Sequence, residues 1–456
     1  MALKEKNTIH VTEGMIDTGA DVSQQPSIKF HRKNSPMFHS GVTWLDRWLV
    51  KKMVDVVGNP PVRISLWDGV EVTPPCDPIA VLVYRDRGAL LKTIINPELH
   101  WGDLYCSGRV VFEGDMAEFM QAIYKGISGK GKPGLLRRFV IWLGHRRIFN
   151  SLDKAKENIH HHYDIGNDFY KLWLDEEEMQ YTCAYFPHEG MTLEEAQIAK
   201  LHHVCRKLDL KPGDKVVEAG CGWGGLARFM AKNYAVNVTA YNISREQIKY
   251  ARQRAEDEGL SKQIDYVLDD YRNIKGTYDV FVSVGMLEHV AINDYEELGD
   301  IVRRCLKHDG RGLIHTIGRT AEGPMNAWIE RRIFPGARPP ALSQMLNIFE
   351  SNRLAVYDVE NIRLHYSRTL EFWAQRFEQH KEQITEMMDE EFVKAWGLYL
   401  YGSIAAFDAG ELQLFQVVFH HSDSNDVPWS RHYMYDVEKS KSASKAKLTV
   451  IASEAE

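Results

Sequence analysis

The run KVVEA leads directly into Glu218-Ala219-Gly220-Cys221-Gly222-Trp223-Gly224-Gly225. Gly220, Gly222 and Gly225 satisfy G-x-G-x-x-G, the spacing of a dinucleotide-binding turn. A nicotinamide site usually carries an acid about 20 residues further on, at the end of the next strand, to hold the ribose diol. Here that strand ends Tyr241-Asn242-Ile243-Ser244, without an acid, and the loop has no P-loop lysine. The alternative spacing E-x-G-x-G-x-G, through Gly220, Gly222 and Gly224, fits an S-adenosylmethionine site. Its glycines let the backbone approach the cofactor, and Glu218 suits a cationic sulfonium. A tight turn that binds nothing is the bland alternative. Asn242 closes the second strand and joins the cofactor set. Ser244 and Gln247 form S-x-x-Q, a capping box that is also compatible with a ribose contact from Gln247. Asp270 and Tyr271, ending the third strand, lie where an adenine would be recognised, or else form a solvated strand end. No metal is expected: His160, His161 and His162 are adjacent in sequence, a poor spacing for ligation from one face. The cysteines lack CxxC pairs and read as free thiols.

These groups need a sheet to hold them. The runs KVVEA, VNVTAY, IDYVLDD, YDVFVSV and GLIHTI alternate with helical patterns such as SREQIKYARQRAEDEG, which predicts a parallel doubly wound sheet. AVYDVENI and LQLFQVVF would add an antiparallel edge. Thr192 and Glu195 predict a helix start running toward Leu208. Residues 161–438 are read as the catalytic domain. A smaller α+β module spans 36–124, with a helix over 42–56, strands at PVRISLW and IAVLVYR, and a turn-rich segment, NPELHWGDLYCSGRVVFEGD. Residues 125–160 read as a basic linker, and 1–35 and 439–456 as mobile tails.

Across 456 residues the chain carries 56 Lys+Arg against 63 Asp+Glu, with 44% hydrophobic residues. That composition excludes whole-chain disorder and a collagen-like architecture, and argues against a dedicated nucleic-acid binder. No apolar run reaches the ~18 residues needed to cross a bilayer, and MALKEKNTIH lacks a signal-peptide apolar region; a cytoplasmic chain is expected. The acidic average hides one reversal. Residues 125–147 hold seven Lys/Arg and no acid, interleaved with Leu135, Phe139 and Trp142. Such a stretch suits an anionic membrane surface, or else packs between domains.

The motifs HYDIGNDFYKLWLD, MQYTCAYF, EAQIAKL, EAGCGWGG, SVGMLEHV, IHTIG and LQLFQVVF, in this order, closely resemble the cyclopropane-fatty-acid-phospholipid synthases and the related mycolic-acid cyclopropane synthases. The resemblance covers roughly residues 160 to 420. It implies a class I S-adenosylmethionine-dependent methyltransferase fold, Rossmann-like, with a smaller α+β lipid-binding domain in front. It also implies methyl transfer to the cis double bond of an unsaturated phospholipid acyl chain. The resulting carbocation closes to a cyclopropane when a bicarbonate ion, the general base, takes a proton. The bicarbonate ligands map to Cys183, Glu288, His315, Ile317 and Tyr366. Of these, Cys183 and Ile317 act through backbone groups, Glu288 and His315 through side chains and Tyr366 through its hydroxyl. Cofactor contacts map to Tyr181, Thr182, Gly220, Gly222, Gln247, Asp270 and Tyr271. Aromatic faces at Tyr181, Tyr185, Phe186 and Trp373 are candidates to stabilise the cation. A homodimer is implied too.

Each role has a bland counterpart. Cys183 suits a small buried apolar position, Glu288 and His289 suit a helix cap near Asn293, and His315 suits a satisfied core histidine. Departures from the family pattern include Glu218-Ala219 in place of Asp-Ile or Asp-Val and Thr182 in place of Ser. AYNIS replaces GVTLS, and GDLYCSG replaces GExYMxG. A methyl- or methylene-branched product from the same cation is the main alternative outcome. A non-catalytic lipid-binding relative is the alternative from another class.

Overall fold

Thr43 and Asp46 satisfy each other's backbone N–H groups and start α1 (Trp44–Val56). Apolar alternation then gives β1 (Val62–Ser65), short β2 (Glu71–Val72) and β3 (Ala80–Tyr84), with every second side chain of β1 and β3 buried. Asp86 caps α2 (Arg87–Ile95). The segment expected to be turn-rich is instead α3 (Pro97–Cys106) followed by β4 (Val110–Gly114). Asn96 caps the Leu99 N–H and Pro97 occupies the first turn, where its missing N–H costs nothing. These two residues therefore open a helix here. The module closes with α4 (Met116–Ser128), and its sheet order is β2-β1-β3-β4.

This computed structural model describes residues 41–72, 74, 77–128 and 166–435. The expected tails, the histidine run, Cys76 and the basic stretch beyond Ser128 lie outside the described residues.

The larger sheet follows from the alternation read above. A capping box at Thr192 starts α5 (Leu193–Lys207). β5 (Lys215–Ala219), α6 (Gly225–Tyr234), β6 (Asn237–Asn242), α7 (Arg245–Asp257), β7 (Ile264–Leu268), β8 (Tyr278–Val284), α8 (Tyr295–Cys305) and β9 (Leu306–Arg319) follow. After α9 (Leu342–Glu350) come β10 (Leu354–Asn361), α10 (Arg363–Gln379), α11 (Glu390–Asp408) and β11 (Leu412–His421). The order is β10-β11-β9-β8-β5-β6-β7. The neighbours from β9 to β7 pair in parallel, while β11 pairs antiparallel with both β9 and β10. The order reverses between β5 and β8, so a crevice opens beyond their carboxyl ends.

The module is joined to this sheet's helices. α3 and α4 pack against α11, and one apolar cluster runs from Ile64, Leu82 and Phe119 to Trp173, Trp373 and Trp396. A Cβ at Gly102 would sit 2.5 Å from the Trp328 ring. Asp103 accepts from Trp328 Nε1 at 3.0 Å and pairs with Arg332 at 2.8 Å.

Candidate active site

The glycine loop takes its shape from its neighbours. Gly220 (φ 82°), Gly222 (φ 52°) and Gly224 (φ 78°) all adopt left-handed backbone. The three differ in what surrounds them. A Cβ at Gly220 would lie 2.9 Å from Met286 Cβ, and one at Gly224 would lie 2.7 Å from Ala251 Cβ. At Gly222 it would meet nothing within 4 Å. Gly222 therefore faces open space, whereas Gly224 caps α6 and lets it pack closely on α7 and Tyr266. Buried Arg228 donates to the Trp223 carbonyl at 2.9 Å and pairs with Glu178 at 2.6 Å and Glu258 at 3.1 Å, tying α6 to the loop.

The cavity at this end of the sheet is lined by Tyr181, Thr182, Glu218, Gly220, Gly222, Asn242 and Gln247, together with Met286 and His289. Asn242 Nδ2 donates to the Gly222 carbonyl at 3.1 Å and to Gln247 Oε1 at 2.8 Å. Gln247 thus completes only half of a capping box: its N–H donates to Ser244 Oγ, while the Ser244 N–H goes to Asn242. Glu218 is buried, and its Oε2 has no hydrogen-bond partner among the described residues. Burial pushes its carboxyl up to about 8. An unpartnered acid beside an open glycine fits a cationic ligand that needs close backbone approach.

Asp270 and Tyr271 do not line this cavity. The Asp270 carboxylate accepts from the Arg272 N–H at 3.0 Å and pairs with its guanidinium at 3.3 Å, capping a short turn. The cation of Arg272 lies 5.0 Å over the Tyr271 ring. Both residues are held by this local arrangement.

Behind the cavity wall lies a group that the sequence did not single out. Lys200 on α5 is fully buried; its Nζ donates to Gln180 Oε1 and, at 2.9 Å, to Thr182 Oγ1. Gln197, one turn earlier, donates to the Thr182 carbonyl at 2.9 Å. Together they clamp the irregular segment that carries Tyr181 and Thr182. Burial pulls the Lys200 ammonium down to about 8. The spacing of Gln197 and Lys200 in EAQIAKL was the available signal, but polar residues at that spacing usually mark a solvated face.

Of the five base-site candidates, Glu288, His315 and Ile317 meet where β8 and β9 end. Glu288 Oε1 accepts from the Ile317 N–H at 2.6 Å. The Ile317 N–H is therefore engaged in holding Glu288, which differs from the expected direct backbone role. Glu288 Oε2 and His315 Nε2 are both buried without a hydrogen-bond partner among the described residues. Burial raises the Glu288 carboxyl to about 7, against the lowering effect of the Ile317 N–H. The Cys183 thiol is fully buried, donates to the Ala184 carbonyl at 3.1 Å, and is pushed up by desolvation. It is not a thiolate nucleophile. Tyr366 reaches this end through rings: Tyr366–Trp373 centroids are 5.9 Å apart and Trp373–Tyr181 5.3 Å.

Those rings belong to a larger aromatic enclosure. Trp173 lies 5.2 Å from Tyr181, and Tyr181 Oη shares a 3.0 Å hydrogen bond with Tyr399 Oη. Trp173, Trp396 and Tyr399 were missed from sequence. Tyr185 and Phe186 go elsewhere: Tyr185 stacks on His203 at 4.2 Å and Phe186 on Phe372 at 5.8 Å. Of the four aromatic candidates, Tyr181 and Trp373 share the enclosure and the other two do not.

Comparison with known proteins decides the family. The model described as "Mycolic acid cyclopropane synthetase" matches residues 150–417. A "Probable fatty acid methyltransferase" of Pseudomonas putida is 35% identical over 388 residues, covering 82% of this chain and 96% of that protein. The chain belongs to the mycolic acid cyclopropane synthetase family.

Within that family, the chain is 40% identical over 288 residues to the "Cyclopropane-fatty-acyl-phospholipid synthase" of Escherichia coli strain K12, covering 62% of this chain and 74% of that one. A solved mycolic acid cyclopropane synthase, CmaA1, in complex with SAH and CTAB, superposes with TM-score 0.55 at 29% identity, covering 58% of this chain and 97% of that chain. The larger sheet is thus that of the class I S-adenosylmethionine-dependent methyltransferases. Among the described residues, no group of three or more His, Cys, Asp or Glu is placed to hold a metal ion.

Proposed function

We propose that this protein transfers a methylene unit from S-adenosylmethionine to the cis double bond of an unsaturated phospholipid acyl chain, forming a cyclopropane ring. The observation that carries this reading is the double role of Tyr181, which lines the cofactor cavity and also closes the aromatic enclosure with Trp173 and Trp373. When bound, S-adenosylmethionine supplies an electrophilic methyl and bicarbonate supplies a base. The chain's own task is to hold both and to protect a cationic acyl chain from water. Glu218, Gly222, Asn242 and Gln247 form the cofactor wall, and Lys200 braces it from behind. Aromatic faces stabilise positive charge without bonding to it, and an apolar enclosure excludes water. The unpartnered Glu288 Oε2 and His315 Nε2 offer an acceptor and a donor to an oxyanion that carries one hydroxyl.

The product tests this reading. In an expressing host fed methyl-deuterated methionine, mass spectrometry should find lipids that retain two of the three methyl deuteriums. Retention of all three would replace ring closure with the methyl-branched alternative. Failure to release S-adenosylhomocysteine with unsaturated phospholipid would point to a non-catalytic relative.

Action on a phospholipid would put the protein at the inner face of an anionic membrane, as a peripheral protein; sequence resemblance supports a homodimer. No helix among the described residues is long and apolar enough to cross a membrane. Support for surface contact comes from α1, where Trp44 is 78% exposed and Trp48 49%, beside exposed Leu45, Arg47, Lys51 and Lys52. Exposed tryptophan among cations suits the headgroup region. Replacing Trp44 and Trp48 together with Ala should weaken sedimentation with anionic vesicles about tenfold. Replacing Lys51 and Lys52 with Gln should weaken it only at low salt, by roughly 1 kcal/mol per charge. Unchanged binding of both variants would remove α1 from the contact.

A further inference from the structure

We infer that Gln416 is the positioning residue that fixes the tautomer of His315, leaving Nδ1 unprotonated and presenting Nε2–H to the base site. This rests on the reading that an oxyanion is held there, and deepens it. The strand register sets the arrangement: Gln416 on β11 lies opposite His315 on β9 and opposite Glu360 on β10. Gln416 is fully buried, and its Nε2 lies 3.1 Å from His315 Nδ1. With its amide nitrogen toward the ring, Gln416 donates and Nδ1 accepts, while Gln416 Oε1 stays buried without a partner among the described residues. The proton of a neutral ring then sits on Nε2, the nitrogen without a partner among the described residues. Burial keeps the ring neutral, and nearby Lys200, Lys207 and His203 act in the same direction, against Glu360.

The consequence is chemical. An imidazole presenting Nε2–H to the site is a donor there and cannot take a proton through that nitrogen. His315 therefore orients an oxygen acceptor, and proton removal falls to the oxyanion. A partner behind a ligating histidine commonly sets its tautomer in this way.

The test is a long-range proton–nitrogen NMR correlation of full-length protein labelled with nitrogen-15 histidine. His315 is assigned by the signal lost in His315→Gln. The expected wild-type pattern is a protonated Nε2 with an imine-like Nδ1. A Nδ1–H tautomer or an imidazolium would overturn the proposal, whether or not turnover depends on bicarbonate. Gln416→Leu should mix the tautomers and lower turnover by roughly 10-fold or more, with S-adenosylmethionine affinity unchanged. Gln416→Glu should move the proton to Nδ1. A Gln416→Leu spectrum identical to wild type would equally overturn it. If that variant fails to fold, the wild-type tautomer decides alone. Turnover independent of bicarbonate would defeat the oxyanion reading and leave the tautomer result standing.

Discussion

Glu288→Gln should lower turnover by about 10²-fold or more while leaving the fold and cofactor affinity near wild type. Two features of the site separate these effects. Oε1 accepts the Ile317 N–H at 2.6 Å, a bond that glutamine retains through its carbonyl oxygen. Oε2 is buried and without a partner among the described residues; in glutamine it becomes an NH2 donor, which could not accept the hydroxyl hydrogen of the proposed oxyanion. The measurement is S-adenosylhomocysteine release at saturating cofactor, beside a titration of S-adenosylmethionine affinity. The wild-type rate should also fall as pH drops below about 7, because burial raises Glu288 to about 7 and protonation removes the acceptor. Turnover within about threefold of wild type would leave Glu288 a structural role only.

Glu360→Gln should have the largest effect on stability, a loss of about 3 kcal/mol. Glu360 Oε2 lies 2.7 Å from both Lys207 Nζ and His203 Nε2, and neither of those side chains is exposed. Removing the charge leaves a buried ammonium with Asp358, at 3.4 Å, as its remaining ion-pair partner among the described residues. Burial works to raise Glu360, but His203 and Lys207 outweigh it and hold the carboxyl down at about 2. A carboxyl lowered on folding stabilises above its ordinary value near 4.5, and that contribution disappears as pH falls through about 2. The gap between wild type and variant in urea unfolding should therefore be full at neutral pH and narrow in acid. A gap below about 1 kcal/mol at pH 7 would show a solvated pair.

The sequence reveals more of the fold than of the site. The parallel strands were legible because strands buried on both faces read as short apolar runs between amphipathic helices, and the α5 start was legible because Thr192 and Glu195 carry it locally. The α3 region misled because Asn-Pro and glycine favour turns and helix starts alike. Site residues named from motifs fell mostly around one end of the sheet. What could not be read were polar groups that act from within the core. Lys200 and Gln416 look like ordinary surface residues until burial is known. The contacts that define the site join residues 29, 101 and 218 positions apart. Only strand register and helix packing bring them together. Asp270 shows the reverse: a motif position whose carboxylate is claimed by Arg272, two residues away.

Gly102 and Asp103 also bear on how such a sequence can drift. Any side chain at Gly102 must displace the Trp328 ring, and Asp103 serves Trp328 and Arg332 together. The Gly102–Trp328 contact joins positions more than two hundred residues apart along the chain, so a larger residue at one calls for a smaller ring at the other. The packing of the two halves on one another is therefore set by single residues on each side. The joint between them is as closely specified as the wall of the cavity.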